Sequence, residues 1–239
     1  MEIHKPKPVH SLREFLSEIV VIVCGILIAL GLEQAVEALH WWERVHEAKT
    51  AIHKELVLTT IFGEERIAWR ACADAYLADL ASAVAASPPQ WKPRSTTFCG
   101  SAHKTVYGGP SRPWPTEVWH SIEAEGVVSH FGERYRRSAP FTFSFIRDTD
   151  VLNAAEDHDA SELDPLAYPI ILTPDAKIGF LKVVGSLRRQ NKSLALSSAQ
   201  LRDQITDLGE APTEAELKEM RATIPYLFRG QPADTPKQH

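Results

Sequence analysis

The chain has 239 residues, and roughly 200 of them follow an apolar segment near the N-terminus, enough for one domain with a hydrophobic core. The net charge is −5 at pH 7, and the closest grouping of cations is Arg134, Arg136 and Arg137. Nucleic acid is therefore excluded as a partner, because neutralising phosphates requires a sustained basic face.

The apolar segment is an uninterrupted run over residues 19–32, bracketed by Glu18 and Glu33. At the helical rise this run spans only about 21 Å of a bilayer core that is about 30 Å thick. A helix over residues 15–36 is about 33 Å long and crosses if its terminal carboxylates reach the interfaces. We predict a transmembrane helix at 15–36, preceded by a cytoplasmic tail at 1–14.

Two other interpretations compete with this anchor. One is a cleaved signal peptide, since Val36-Glu37-Ala38 could serve as a peptidase site, and the other is a buried core helix of a soluble protein. Apolar residues continue at helical spacing through residues 38–56 without glycine or proline, whereas a peptidase needs an extended segment. Trp41 and Trp42 also resemble an interfacial aromatic belt. We therefore favour an uncleaved anchor.

The charges flanking the run indicate its orientation. Lys5, Lys7 and Arg13 precede it, whereas acidic residues follow it. Because cytoplasmic flanks carry the excess of Lys and Arg, we predict a cytoplasmic N-terminus and a single pass through a bacterial inner membrane. Residues 37–229 then form a periplasmic domain, and residues 230–239 form a flexible tail.

Inside the run, Gly25 and Ala29 stand four residues apart, a spacing of small residues that lets transmembrane helices approach closely. Cys24 is interpreted as a small hydrophobic residue. In an oxidising compartment Cys72 and Cys99 could form a disulfide, and the alternative is two unpaired thiols.

Amphipathic helices are predicted at 38–60 and at 64–86, joined as a hairpin at Gly63. Residues 90–115 contain several prolines and glycines and no helical period, so we predict a long loop pinned by Trp91 and Trp114.

After this loop, Thr116 is predicted to cap a short helix that is interrupted at Gly126. A further helix is expected over 132–155, kinked or divided by Pro140. The fold class predicted from this series of elements is all-α, a helical bundle with a long proline-rich loop.

The clearest predicted element is a helix over 173–208, with Thr173 as N-cap, Pro174 at the first helical position and Gly209 as the stop. Its side chains repeat at spacings of four and three and form a seam: Phe180, Val184, Leu187, Asn191, Leu194, Ser198, Leu201, Ile205 and Leu208. The two polar members could define register or partner number. We favour antiparallel packing on residues 38–60 of the same chain, and the alternative is a homodimer or another protein. A capping box, Thr213 to Glu216, starts one more helix.

No motif in the sequence identifies a catalytic residue, a cofactor site or a metal site. The densest group of carboxylates surrounds His158, and we interpret it as a solvated helix start rather than a cation site: Glu156, Asp157, Asp159, Glu162 and Asp164. His40, His46 and His53 are interpreted as surface histidines, because their spacing does not suit a shared metal ion.

One region could hold a ligand or a catalytic acid and base. Trp114, Trp119, His120 and His130 lie near two glutamates and could line a pocket, although aromatic pinning of the loop explains the tryptophans equally well.

Two stretches support a resemblance to a known family. The first is Glu18-Ile19-Val20 with the aliphatic residues 25–30 and Lys54-Glu55-Leu56, and the second is residues 117–122 with 126–128 and Tyr135. They resemble an uncharacterised family of small bacterial single-pass membrane proteins with an N-terminal signal anchor and a helical extracytoplasmic domain. The chain departs from that pattern at Glu125, where a small residue is usual. The resemblance implies an anchored helical domain and no catalytic residues.

The sequence therefore predicts a membrane-anchored helical module of the bacterial envelope, a scaffold or interaction protein without catalytic activity. Its expected partners are the lipid bilayer and an envelope protein or a second copy of the chain. The alternative is a periplasmic enzyme or small-ligand sensor with its site near residues 91–130.

Overall fold

A computed structural model of the protein describes residues 12–94, 97–99, 101–102 and 105–223. Five helices dominate it, which confirms the all-α prediction: α1 (Leu12–Ala86), α2 (Glu117–Ala124), α3 (Glu133–Ser161), α4 (Pro174–Leu208) and α5 (Glu214–Thr223). Short 3-10 turns lie at Val127–His130 and Asp164–Ala167. Four two-residue strands pair antiparallel, β1 (Gln90–Trp91) with β4 (Ile170–Ile171) and β2 (Thr97–Phe98) with β3 (Ser101–Ala102).

The chain divides into two compact units, residues 1–48 and 49–239. In the first unit, the described part of α1 contains a window with a mean hydropathy of 2.7, none of which is buried. By length and composition α1 is the one helix, among the described residues, that could cross a membrane. The interpretation of this run as a buried core helix is wrong, because its large apolar side chains are exposed.

The predicted hairpin at Gly63 is wrong, because α1 is a single helix of 75 residues that continues through this glycine. Gly63 is buried where α4 approaches, and a Cβ atom placed on it would lie 3.2 Å from the Cβ of Ser198. The glycine therefore permits close helix packing at a cost in helix propensity, and it marks no turn.

Helix α4 follows the prediction in its bounds. The Thr173 side chain accepts a hydrogen bond from the Ala176 amide at 3.2 Å, and Gly209 ends the helix with φ +86°. Helix α4 runs antiparallel to α1 of the same chain, as predicted, and several of its contacts lie later in α1 than residues 38–60. Asn191 contacts Arg70 and Ser198 faces Gly63, and α4 also packs extensively against α3.

Two smaller predictions also need correction. Thr116 precedes α2 but makes no side-chain cap, because the Glu55 carboxylate accepts from the amides of Val118 and Trp119 at 3.0 and 3.2 Å. Pro140 does not divide α3, which runs from Glu133 to Ser161 with the proline inside it. The interruption at Gly126 is confirmed, since this residue has φ +76°.

The core of the second unit is rich in aromatic rings that hold the long loop. Phe98 stacks on Tyr76 and on Tyr107, with ring centroids 4.2 and 5.8 Å apart. Trp91 is buried and donates from Nε1 to the Leu166 carbonyl at 2.8 Å. The loop is thus pinned by buried rings, which replace the regular hydrogen bonding that its prolines prevent.

Candidate functional site

A cleft of about 780 Å³ with converging charged side chains lies between α1 and α4 in the second unit. We call it the basic cleft. Helix α1 contributes residues 67–74 and helix α4 residues 185–192: Ile67, Arg70, Ala71, Asp74, Gly185, Arg188, Arg189, Asn191 and Lys192. Its volume lies within the range of small-molecule sites in proteins, about 300–1,000 Å³.

One ion pair crosses the cleft from wall to wall. Arg188 donates from Nε and Nη2 to the two carboxylate oxygens of Asp74, at 2.8 and 3.2 Å. These hydrogen bonds, together with the positive charges of Arg188 and Arg70, lower the pKa of Asp74, and the contact between Arg188 and Asp74 raises the pKa of Arg188. The carboxylate is therefore ionised and occupied by Arg188 at neutral pH.

The remaining charges of the cleft are all positive. Arg70, Arg189 and Lys192 are exposed, and the cleft thus presents four cations against one carboxylate. The sequence does not predict this group of cations, because its members lie on two helices that are more than 100 residues apart in the chain. The signal in the sequence that could have indicated the cleft is the pair Arg188-Arg189, which lies close to the seam position Asn191.

Asn191 lies at the floor of the cleft and is 2% exposed. Its Nδ2 atom donates to the Arg70 carbonyl at 3.0 Å, whereas Oδ1 is buried and accepts no hydrogen bond from the described residues. A buried acceptor without a donor is costly, and this atom is closed to solvent in the chain as it stands.

A second polar cluster lies one turn away along α1 and is closed to solvent. Arg66 is 2% exposed and donates to the Glu156 carboxylate and to the Asn153 side chain of α3. Tyr107 donates to Glu156 at 3.0 Å, and burial, followed by the charge of Glu156, raises the pKa of this phenol. Glu156 was predicted to be a solvated residue, and this was wrong because it is fully buried as the partner of Arg66.

The buried cluster also explains one glycine of the long loop. A Cβ atom on Gly109 would lie 2.7 Å from Glu156 Oε2 and 2.8 Å from Arg66 Nη1. Next to it, Arg112 donates to both oxygens of Glu65 at 3.0 and 3.1 Å. The cluster therefore joins α1, α3 and the loop, which is a structural task.

His53 joins α1 to the segment that leads into α5. Its Nδ1 lies 2.9 Å from Glu210 and its Nε2 lies 3.0 Å from Glu216. Burial by itself lowers the pKa of His53, but the hydrogen bonds and charges of both glutamates outweigh it and raise the pKa. The prediction of a surface histidine is therefore wrong for His53, which is partly buried and contacts two glutamates.

The predicted capping box of α5 is confirmed, because Thr213 and Glu216 exchange side-chain and backbone hydrogen bonds. These contacts with Thr213, followed by those with His53, lower the pKa of Glu216 to about 2. Glu216 thus serves both the helix start and the contact with His53.

The four side chains of the predicted pocket point into different environments. Trp114 and Trp119 are buried, and Trp119 stacks on Phe143 with ring centroids 4.7 Å apart. His120 and His130 are exposed. The prediction of a pocket at these residues is therefore wrong, because the tryptophans are part of the core and the histidines face solvent.

The other predicted positions are placed as follows. Cys72 and Cys99 form a disulfide with a Cα–Cα distance of 5.5 Å. Cys24, Gly25 and Ala29 are exposed on α1.

The seam of α4 is buried at eight positions and half-buried at Phe180. Carboxylates of the acidic group have separate partners, Ser111 for Asp157 and Gln190 for Asp159. In the described part of the chain no three His, Cys, Asp or Glu side chains are grouped to hold a metal ion.

Comparison with known proteins gives no relative from which a function could be transferred. No family model matches the chain, and neither a curated protein nor a solved structure matches it.

Proposed function

We propose that the protein is a single-pass component of a bacterial inner membrane whose helical domain lies in the periplasm and binds another component of the envelope. The observation that carries the proposal is the exposed apolar window of α1. In water such a surface would be strongly unfavourable, whereas in a bilayer it is the expected surface of a spanning helix.

Two further observations support this location. Helix α1 runs without interruption through Val36, Glu37 and Ala38, where a signal peptidase would need an extended chain. The bond between Cys72 and Cys99 suits an oxidising compartment such as the periplasm.

The structural roles of the titratable groups support binding rather than catalysis. Glu55, whose pKa is raised chiefly by burial, caps α2, and His53 connects α1 with the start of α5. Tyr107 is committed to Glu156 in the buried cluster. Groups with displaced pKa values often mark catalytic sites, but structural networks displace them too, and here each one holds elements together.

A pair of reporter fusions tests the topology. A phosphatase that is active only outside the cytoplasm is fused after Leu208 in one version and before Phe15 in the other. We expect activity from the first and none from the second, with equal amounts of both fusions in the membrane fraction. The reverse pattern would contradict the orientation and remove the argument for an oxidised disulfide.

Site-specific photo-crosslinking tests the interaction. A photoreactive residue is placed in turn at Leu196, Ile178 and Val151, which are exposed apolar positions on α4 and α3. We expect a discrete heavier adduct from at least one of them, and the buried position Leu187 is the matched control that should give none. Absence of adducts at all three exposed positions in intact cells would contradict the interaction module.

A small-ligand sensor is the second candidate, and the basic cleft is the observation that favours it. Its site would then lie between α1 and α4 and not among residues 91–130, where the aromatic side chains are buried. The chemistry of the cleft indicates the class of ligand.

A further inference from the structure

We propose that the basic cleft between α1 and α4 binds a phosphate monoester that carries a hydroxyl group close to the phosphate. This inference goes beyond the proposed anchoring and does not depend on it. The cleft belongs wholly to the second unit, and its lining residues all lie between positions 67 and 192.

The first step of the argument is charge. Arg188 already satisfies Asp74, so the charges of Arg70, Arg189 and Lys192 remain available in the cleft. A carboxylate carries a single negative charge, whereas a phosphate monoester carries about −1.5 to −2 at neutral pH. A dianion therefore compensates the excess better than a carboxylate does.

The second step is the arrangement of the cations. They come from both walls, Arg70 from α1 and Arg189 with Lys192 from α4. A phosphate has three terminal oxygens that accept hydrogen bonds in different directions, which suits donors that converge from two sides. Arginine forks bind phosphate with two parallel hydrogen bonds, and lysine adds a point charge.

The third step is the acceptor at the floor. Because Asn191 Nδ2 is held by the Arg70 carbonyl, Oδ1 is oriented away from that contact and is left without a donor among the described residues. The terminal oxygens of an ionised phosphate are acceptors and cannot satisfy it. Oδ1 is closed to solvent in the unliganded chain, so a hydroxyl group next to the phosphate donates to it when ligand binding displaces the side chains that cover this atom, while the phosphate binds the cations.

The fourth step is space. Ala71 and Gly185 are small residues on the two opposing helices. A Cβ atom on Gly185 would meet only the Arg189 side chain, at 3.7 Å, so packing does not require this glycine as it requires Gly63. A glycine inside a helix lowers its stability, and at position 185 it leaves room beside Arg189.

Calorimetric titration of the full chain in a non-ionic detergent tests the proposal. Glycerol phosphate is the probe, and inorganic phosphate and glycerol are the partial probes that each lack one of the two recognised groups. We expect glycerol phosphate to bind at least about tenfold more tightly than inorganic phosphate, the effect of one hydrogen bond to a buried polar group. Glycerol alone should give no measurable heat.

Variants locate the binding. Arg189→Gln and Lys192→Gln should each weaken glycerol phosphate binding about tenfold or more, since each removes a charge-assisted contact. The matched control is Arg202→Gln, an exposed arginine on the same helix outside the cleft, which should leave binding unchanged. Unchanged binding in the two cleft variants would overturn the proposal.

Asn191→Leu tests the hydroxyl contact. This variant should bind glycerol phosphate and inorganic phosphate equally, because the acceptor for the hydroxyl group is gone. A thermal melt of the same sample checks that the variant is folded, and Asn191→Ala, which also removes the acceptor, serves if it is not. Equal binding of both probes by the unsubstituted chain would overturn the proposal.

Two competition experiments define the source of the ligand. Competition by phosphatidylcholine vesicles that contain lysophosphatidic acid, whose headgroup is a phosphate monoester beside a free hydroxyl group, but not by vesicles of phosphatidylcholine alone, would support the proposal with a lipid headgroup as the source. Glycerol phosphate binding that neither vesicle affects would support a soluble phosphate ester. Binding of an acidic peptide in the cleft without any binding of glycerol phosphate would overturn the proposal in favour of a protein partner.

Discussion

Arg66 and Arg70 lie one turn apart on α1, but their side chains have opposite surroundings. Arg66 is buried and donates to Glu156 and Asn153 of α3. Arg70 is exposed in the basic cleft, where α4 contributes three more cations and one buried amide. The same residue type is thus a structural group at one position and a candidate ligand contact at the next, because the facing helix differs.

The difference follows from the cost of burying charge. A guanidinium group removed from water is tolerated only when carboxylates and other acceptors surround it. An exposed cation remains hydrated, and repulsion between neighbouring cations is screened by solvent and salt. The structure can therefore leave the cleft cations uncompensated, whereas it must surround Arg66 with partners.

Breaking the buried pair should give the largest effect on stability. Glu156→Gln leaves Arg66 buried without its counter-charge, and we expect a loss of about 3 to 5 kcal/mol in the free energy of unfolding. The exposed pair is the matched control, and Asp74→Asn should cost less than about 1 kcal/mol. Urea denaturation followed by tryptophan fluorescence measures both, and equal losses would contradict the contrast between the two sites.

Removing the disulfide should rank next. Cys99→Ser frees the loop that stacks Phe98 on Tyr76, and we expect a loss of about 2 to 5 kcal/mol, the usual range for a native bridge. Cys24→Ser, an exposed residue of the first unit, is the control and should have little effect on that unfolding step. Mass mapping without reductant should find Cys72 bonded to Cys99, and alkylation of both thiols in protein isolated under these conditions would refute the prediction.

The two helix glycines should respond to alanine with opposite signs. Gly63→Ala pushes a methyl group against Ser198, and we expect a net destabilisation of about 1 kcal/mol after the gain in helix propensity is included. Gly185→Ala meets only a flexible arginine and should stabilise by up to about 1 kcal/mol. Thermal unfolding of both variants is the measurement. Stabilisation of both would show that α4 can shift on α1, and destabilisation by Gly185→Ala would show that packing requires this glycine too.

The smallest effect is expected at His53, whose burial is intermediate between that of Arg66 and that of Arg70. Its raised pKa contributes stability that is fully present below the ordinary pKa of histidine and is lost as pH rises through the raised value. The melting temperature should therefore decrease as pH increases above about 6.5, and in His53→Gln this dependence should be weaker. A profile identical in both proteins would mean that the contacts with Glu210 and Glu216 contribute nothing.

Local chemistry determined several elements directly. Thr173, Pro174 and Gly209 define α4, and Thr213 with Glu216 defines the start of α5, because caps act between residues a few positions apart. The apolar window of α1 was equally readable, since composition and length are properties of one segment. These predictions required no knowledge of what packs against each helix.

Other features depended on partners that are distant in the sequence. The sequence around Gly63 predicts a helix end, because no residue close to it in the chain indicates that it packs against Ser198. The sequence around Thr116 predicts a side-chain cap for α2, because Glu55, which accepts the hydrogen bonds instead, lies far away in the chain. The basic cleft was missed for the same reason, since its cations belong to two helices.

The sequence by itself determined that the chain is mainly helical, where α4 and α5 begin, and which part of α1 is apolar. Only the tertiary structure decided that Arg66 is buried against the carboxylate of Glu156 while Arg70 is exposed in the basic cleft. Helical periodicity specifies the face on which a side chain lies, but the energy of a charge depends on what the opposing element presents. Glu156 is 90 residues from Arg66, and Asn191 is 121 residues from Arg70. No local pattern specifies those pairings, because they arise only when α3 and α4 pack against α1.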